Sequence, residues 1–129
     1  MEQESKKSQT IFVVEDDSFL RSLLVRKLES SGYQTEIAIN ADKAFDKIKK
    51  SSPSVVLLDL VLPSGSGYDI LKKIKEDPQL KDTPVIILSN LGQKEEVAKG
   101  LELGAEDYMV KAHFTPEEII SRIEKLVSK

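Results

Sequence analysis

Apolar residues fall along this chain in two alternating rhythms. Short β-branched runs occur five times, over residues 10–14, 34–39, 55–58, 84–88 and 107–110, and predict strands. Longer amphipathic stretches separate and follow them. Over 18–31, Leu20, Leu24 and Leu28 recur every fourth residue with Phe19 and Leu23 beside them, and Gly32 just beyond is a helix stop. Phe19 and Leu23 are expected in the core, with a surface docking patch as the alternative. Further helices are predicted over 41–51, closed by Ser52-Pro53, over 68–76, ending before Asp77-Pro78, and over 94–103, ending at Gly104. The last begins Thr115-Pro116-Glu117-Glu118, a capping box with proline at the first helical position. It continues with the stripe Ile119, Ile120, Ile123, Leu126 and Val127.

Strands joined by crossover helices pair in parallel, with right-handed connections. The third and fourth runs are apolar throughout, as strands covered on both faces are. The expected fold class is α/β, a flavodoxin-like doubly wound sheet of five parallel strands in the order 2-1-3-4-5 with five helices. Five units are too few for a TIM barrel.

Composition narrows the chemistry. The 129 residues suit one domain, here residues 9–129, preceded by a polar, aperiodic stretch over 1–8 expected to be a disordered tail. There is no cysteine and only one histidine, His113, so disulfides and Cys/His metal clusters are excluded. A net charge of −3 argues against direct nucleic-acid binding. Uninterrupted apolar runs such as 11–14 reach only four residues, too short to span a membrane, and the first ten residues have no signal-peptide core. A cytoplasmic protein is expected.

In open α/β sheets the site lies at the carboxyl ends of the strands. There this chain places Glu15-Asp16-Asp17 after strand one, Asp59 after strand three, Ser89 after strand four and Lys111 after strand five. Asp17 is read first as a helix cap. The remaining acids repel one another, and a hard divalent cation relieves that repulsion; oxygen ligands favour Mg²⁺ over zinc. A carboxylate, hydroxyl, ammonium and Mg²⁺ together suit phosphoryl transfer. Asp59 would be the nucleophile and form an acyl phosphate, Lys111 and the metal would neutralise its oxygens, and Ser89 would hydrogen-bond one of them.

At these residues the chain resembles the receiver domain of two-component response regulators, a likeness covering nearly all of 10–127. It rests on Glu15-Asp16 at the end of strand one, Leu57-Leu58-Asp59 through Pro63, and Gly67 eight residues past Asp59. It rests also on the strand ending in Ser89 and on Gly104-Ala105-Glu106-Asp107-Tyr108 leading to Lys111. The resemblance implies a chemotaxis-regulator-like phosphoprotein of phosphorelay signal transduction. It would not be an enzyme but a phosphoacceptor that assists its own phosphorylation and dephosphorylation. Asp59 would take its phosphoryl group from a histidine kinase or phosphotransfer protein. Asp16, Asp59 and the Val61 carbonyl would hold Mg²⁺, with Glu15 acting through a metal-bound water. Ser89 and Tyr108 would be the switch residues, and Pro63 and Gly67 would shape the loop after Asp59. The face formed by helix four, strand five and helix five, with an Asp107–Arg122 ion pair, would contact an output protein or a second copy in a phosphorylation-dependent homodimer.

Departures from the family pattern carry further expectations. The usual lysine-proline is here Lys111-Ala112, with one extra residue near His113, so a trans bond and a rerouted loop are expected. His113 is read as a plain loop residue. Asn90 is larger than usual beside the site. Val61 and Leu91, which in this family flank the path of the hydrolytic water, are both apolar, so slow self-dephosphorylation is expected. The helix at 116–127 ends near Lys129, so a stand-alone or excised receiver is expected. Three other readings compete. A haloacid dehalogenase-type hydrolase would need an acid where Val61 stands. A flavodoxin-like cofactor binder would need a Ser/Thr/Gly phosphate loop where Glu15-Asp16-Asp17 stands. The principal alternative is a receiver-shaped interaction module that is never phosphorylated.

Overall fold

Parallel strands need apolar residues on both faces, and four of the five runs provide them. In the computed structural model, which describes residues 9–127, the strands are β1 (Thr10–Val14), β2 (Gln34–Ala38), β3 (Val55–Leu58), β4 (Val85–Ser89) and β5 (Asp107–Val110). The helices are α1 (Ser18–Ser30), α2 (Ala44–Ser51), α3 (Gly67–Glu76), α4 (Lys94–Glu102) and α5 (Pro116–Val127). The stretch 1–8, expected to be a tail, lies outside the described residues. The sheet is parallel throughout, in the order β2-β1-β3-β4-β5. No helix among the described residues is long and apolar enough to cross a membrane.

Alternate residues of each strand point to opposite faces. Phe12, Val14, Val56, Leu58 and Ile87 join Ile48, Ile70, Leu71 and Ile74 in a core beneath α2 and α3. Ile11, Val13, Val55, Leu57, Ile86, Leu88 and Met109 meet Leu24, Leu28, Ile119, Ile120 and Ile123 beneath α1 and α5. β2 is the exception: an edge strand with Ile37 exposed and only Ala38 buried.

Some boundaries differ from the sequence reading. α2 begins at Ala44, not at residue 41, because the preceding backbone is used elsewhere. The Ala41 N–H donates to the Pro63 carbonyl and the Asp42 N–H to Asn40 Oδ1. β4 starts after Pro84, which has no N–H for the ladder, and runs on to Ser89, paired with Val110. Ser89 is thus the last strand residue, not the first after it. Phe19 is not core: it lies 78% exposed at the start of α1, while Leu23 is half-buried. α1 turns its Leu24–Leu28 stripe to the sheet, and Phe19 falls outside that arc. After β5 the chain forms a short 3₁₀ turn, Lys111–His113, with every described peptide bond trans.

Candidate functional site

The strand register builds the site. β1 and β3 pair through Val14 and Leu58, so the residues that follow them emerge side by side. The Asp59 N–H donates to the Val14 carbonyl and the Glu15 N–H to the Ala38 carbonyl, each at 3.0 Å. Both acids are held to the last rung of the ladder, and both are buried, Glu15 at 2% and Asp59 at 5% exposure. Asp16 is exposed where the chain turns away. Asp17 caps α1, its Oδ1 accepting from the N–H groups of Phe19 and Leu20.

Lys111 closes the cluster from β5. Its Nζ lies 2.9 Å from Glu15 Oε1 and 3.0 Å from Asp59 Oδ2, bridging two buried carboxylates. Burial by itself would lower the Lys111 pKa. The two carboxylates outweigh that and hold it above its ordinary value, so the ammonium stays charged. Glu15 moves upward because burial disfavours its charge, against the pull of Lys111 and the Asp17 N–H. The 3₁₀ turn therefore does not keep Lys111 from the site, and His113 sits on it exposed. These residues, with Asp16, Asp17, Val61, Ser89 and Asn90, line a cleft of about 390 Å³. A groove between α1 and α5, about 490 Å³, is larger but has no carboxylate cluster.

The loop after Asp59 is shaped by a small hairpin, Val61–Leu62 against Gly65–Ser66. Pro63 sets φ at the first turn position and Ser64 takes the positive φ of 69° at the second. Val61 is left 62% exposed at the cleft mouth, its N–H donating to Asp59 Oδ1 at 3.3 Å. Gly67 is required by contact: a Cβ there would stand 2.1 Å from the Asp59 carbonyl oxygen.

Ser89 is fully buried at the cleft wall, and its Oγ accepts from the Leu91 N–H at 3.2 Å. Tyr108 lies turned inward behind it, 9% exposed, its hydroxyl donating to the Leu91 carbonyl. Burial pushes the Tyr108 phenol up to about 12, with the Ser89 hydroxyl acting in the opposite sense. Gly100 of α4 makes room for the ring, since a Cβ there would approach Tyr108 Cδ2 to 3.1 Å. The expected Asp107–Arg122 ion pair is present.

The donor set fits a hard cation. Glu15, Asp16 and Asp59 each offer a carboxylate oxygen, all within 4.8 Å of one another, and no softer ligand stands among them. Sequence reasoning missed two residues at the periphery. Arg21 reaches back from α1 to the carbonyls of Glu15 and Asp16. Tyr68, next to Gly67, donates its hydroxyl to the Glu96 carbonyl in α4 at 3.0 Å, with Lys99 Nζ 4.3 Å from its ring centre. Arginine one turn into a helix is an ordinary surface pattern, and nothing local marks its partner.

Comparison with known proteins identifies the family. The family model for the response regulator receiver domain matches residues 11–124. The phosphate regulon transcriptional regulatory protein PhoB of Escherichia coli (strain K12) is 36% identical over 119 residues, 92% of this chain and 52% of that protein. The chain thus spans about half the length of the curated relatives it matches. Among solved structures, the non-phosphorylated HemR receiver domain of Leptospira biflexa superposes with a TM-score of 0.86 at 32% identity, covering 95% of this chain and 96% of that one. The receiver domain of the Francisella response regulator 1452 superposes at 0.85 with 30% identity, covering 94% and 98%.

Proposed function

The chain belongs to the response regulator receiver domain family, and from that premise we propose that Asp59 is its phosphoacceptor and Mg²⁺ its metal. As a receiver it serves phosphorelay signal transduction and is not an enzyme in the ordinary sense. The observation that carries the proposal is the Asp59 carboxylate itself, 5% exposed where Lys111, Glu15 and Asp16 converge.

Each part of the site has a role. An Asp59 carboxylate oxygen forms the new O–P bond as the P–N bond to a donor histidine breaks, and the imidazole leaves with a proton. Lys111, already charged and 3.0 Å from Asp59 Oδ2, neutralises oxygens of the arriving group. The Ser89 hydroxyl, on the cleft wall, donates to another. Asp16, Asp59 and the Val61 carbonyl, with Glu15 beside them, would hold Mg²⁺, which would supply electrostatic stabilisation of the transferring group. Through these groups the chain assists its own phosphorylation and dephosphorylation. Drawing Ser89 toward the phosphoryl group alters its contact with Tyr108 and carries the change to α4, β5 and α5. That face is the surface for an output protein or a second copy. The donor is a histidine kinase or phosphotransfer protein, and the setting is the cytoplasm.

Intact mass after incubation with acetyl phosphate, with and without Mg²⁺, tests this reading. A Mg²⁺-dependent gain of one phosphoryl group, absent in Asp59→Asn, is expected. No gain together with no Mg²⁺ binding by the same sample would favour the unphosphorylated interaction module, whereas no gain with Mg²⁺ bound would point to a strict need for the cognate kinase. Val61 lines the cleft, and Leu91, two residues past Ser89, packs partly buried against the core; neither apolar side chain can orient water, so the acyl phosphate should decay slowly. A Val61→Asn, Leu91→Glu double variant should lose it faster, and equal decay would refute that assignment.

A further inference from the structure

Two backbone carbonyls of the acid loop between β1 and α1 are held by one side chain. Arg21 sits one turn into α1, half-buried. Its Nη1 donates to the Glu15 carbonyl at 3.0 Å and the Asp16 carbonyl at 3.3 Å, and its backbone N–H donates to the Asp17 carbonyl at 2.9 Å. Three consecutive carbonyls are thus satisfied by a single residue. The carboxylates of the loop differ in how they are held. Glu15 accepts from Lys111 and the Asp17 N–H, and Asp17 from Phe19 and Leu20. Among the described residues nothing donates to the Asp16 carboxylate, yet it lies within 4.8 Å of those of Glu15 and Asp59. Its direction is set by the backbone that carries it, and Arg21 holds that backbone.

We propose that Arg21 is a positioning residue for the metal-binding acids, fixing the loop so that the Asp16 carboxylate faces Glu15 and Asp59. The proposal rests on the reading of this cluster as a Mg²⁺ site. Charge and geometry predict opposite effects for Arg21. A guanidinium near a dication repels it, so as a charge alone Arg21 weakens Mg²⁺ binding and its loss tightens it. As a positioning group it strengthens binding. Removing the outer partner of a ligand typically weakens metal binding by about tenfold or more.

Calorimetric Mg²⁺ titration of the full chain, the Arg21→Met variant and the Arg21→Lys variant separates these effects. Arg21→Met keeps the alkyl stem and loses both donated bonds; about tenfold weaker Mg²⁺ binding is expected. Arg21→Lys keeps the charge and can hold one carbonyl, so it should fall between. With acetyl phosphate, the Mg²⁺ concentration for half-maximal phosphorylation should rise while the rate at saturating Mg²⁺ recovers. A purely structural role would lower the melting temperature of both variants without moving Mg²⁺ affinity. Unchanged or tighter Mg²⁺ binding by folded Arg21→Lys or Arg21→Met would overturn the proposal. Failure of the unaltered chain to bind Mg²⁺ would overturn the metal reading itself, and this proposal with it.

Discussion

The two helices that flank β5 are anchored by different physics. α5 buries Ile119, Ile120 and Ile123 against the sheet. Its start is closed by a reciprocal capping box, with the Glu118 N–H donating to Thr115 Oγ1 and the Thr115 N–H to Glu118 Oε1. Ion pairs tie it to α1 through Lys27–Glu117 and to β5 through Arg122–Asp107. α4 buries only Gly100, a residue with no side chain to contribute. Beside a partly buried Val97 and a capping bond from the Gln93 N–H to Glu96 Oε1, its tertiary hold is largely directional: the Tyr108 hydroxyl on the Leu91 carbonyl just before it, and the Tyr68 hydroxyl on the Glu96 carbonyl within it. Apolar burial tolerates small shifts, whereas a hydrogen bond is lost over a fraction of an ångström. Under the proposed function, α4 is the helix that a small movement at Ser89 or the Asp59 loop would release, with α5 as the fixed reference.

The strongest challenge to this contrast is a pair of truncations. Ile123→Ala should cost about 2–5 kcal/mol of global stability, read from urea unfolding. Val97→Ala, at a half-buried position on α4, should cost about 1 kcal/mol or less. Equal costs would mean that α4 is anchored as α5 is.

Tyr108 tests the directional anchor through pH. Its phenol titrates near 10.0 in the unfolded chain and is raised to about 12 in the fold. Between those values the folded state keeps a proton that the unfolded chain has released. The contribution is therefore complete below pH 10 and lost as pH rises toward 12, on the order of 2 kcal/mol. Tyr108→Phe should remove this alkaline fall and the highest step of the native tyrosinate absorbance titration. With no tryptophan and three tyrosines, that titration is readily resolved. At neutral pH the same variant should lose about 1 kcal/mol with its hydrogen bond.

The smallest effect is expected at Tyr68. Tyr68→Phe removes one hydroxyl, worth about 0.5–1 kcal/mol, and leaves the ring beneath Lys99. Amide exchange should quicken in α4 and stay unchanged in α5; equal quickening in both would dissolve the distinction between the helices.

The five strands and five helices were legible because each rests on local patterning, and the capping box at Thr115–Glu118 was readable for the same reason. The strand-end acids were also legible, since a parallel order brings residues that follow β1 and β3 to one edge. The start of α2 was not, because backbone groups near Ala41 answer to Pro63 rather than to their own neighbours. Nor was the exposure of Phe19, which depends on how α1 is rotated. Arg21 and Tyr68 gave no local signal, since each acts on a carbonyl that its own segment does not mark.

The order of hydrophobic and polar residues by itself determined the class of fold, the edge where chemistry gathers and the residue types present there. Those properties follow from periodicity and chain direction, which are local. The tertiary structure alone decided that Lys111 bridges Glu15 and Asp59, that Tyr108 lies inward behind Ser89, and that two tyrosine hydroxyls reach carbonyls within and just before α4. These depend on register and side-chain reach between segments far apart in sequence, where a shift of one residue would separate every pair.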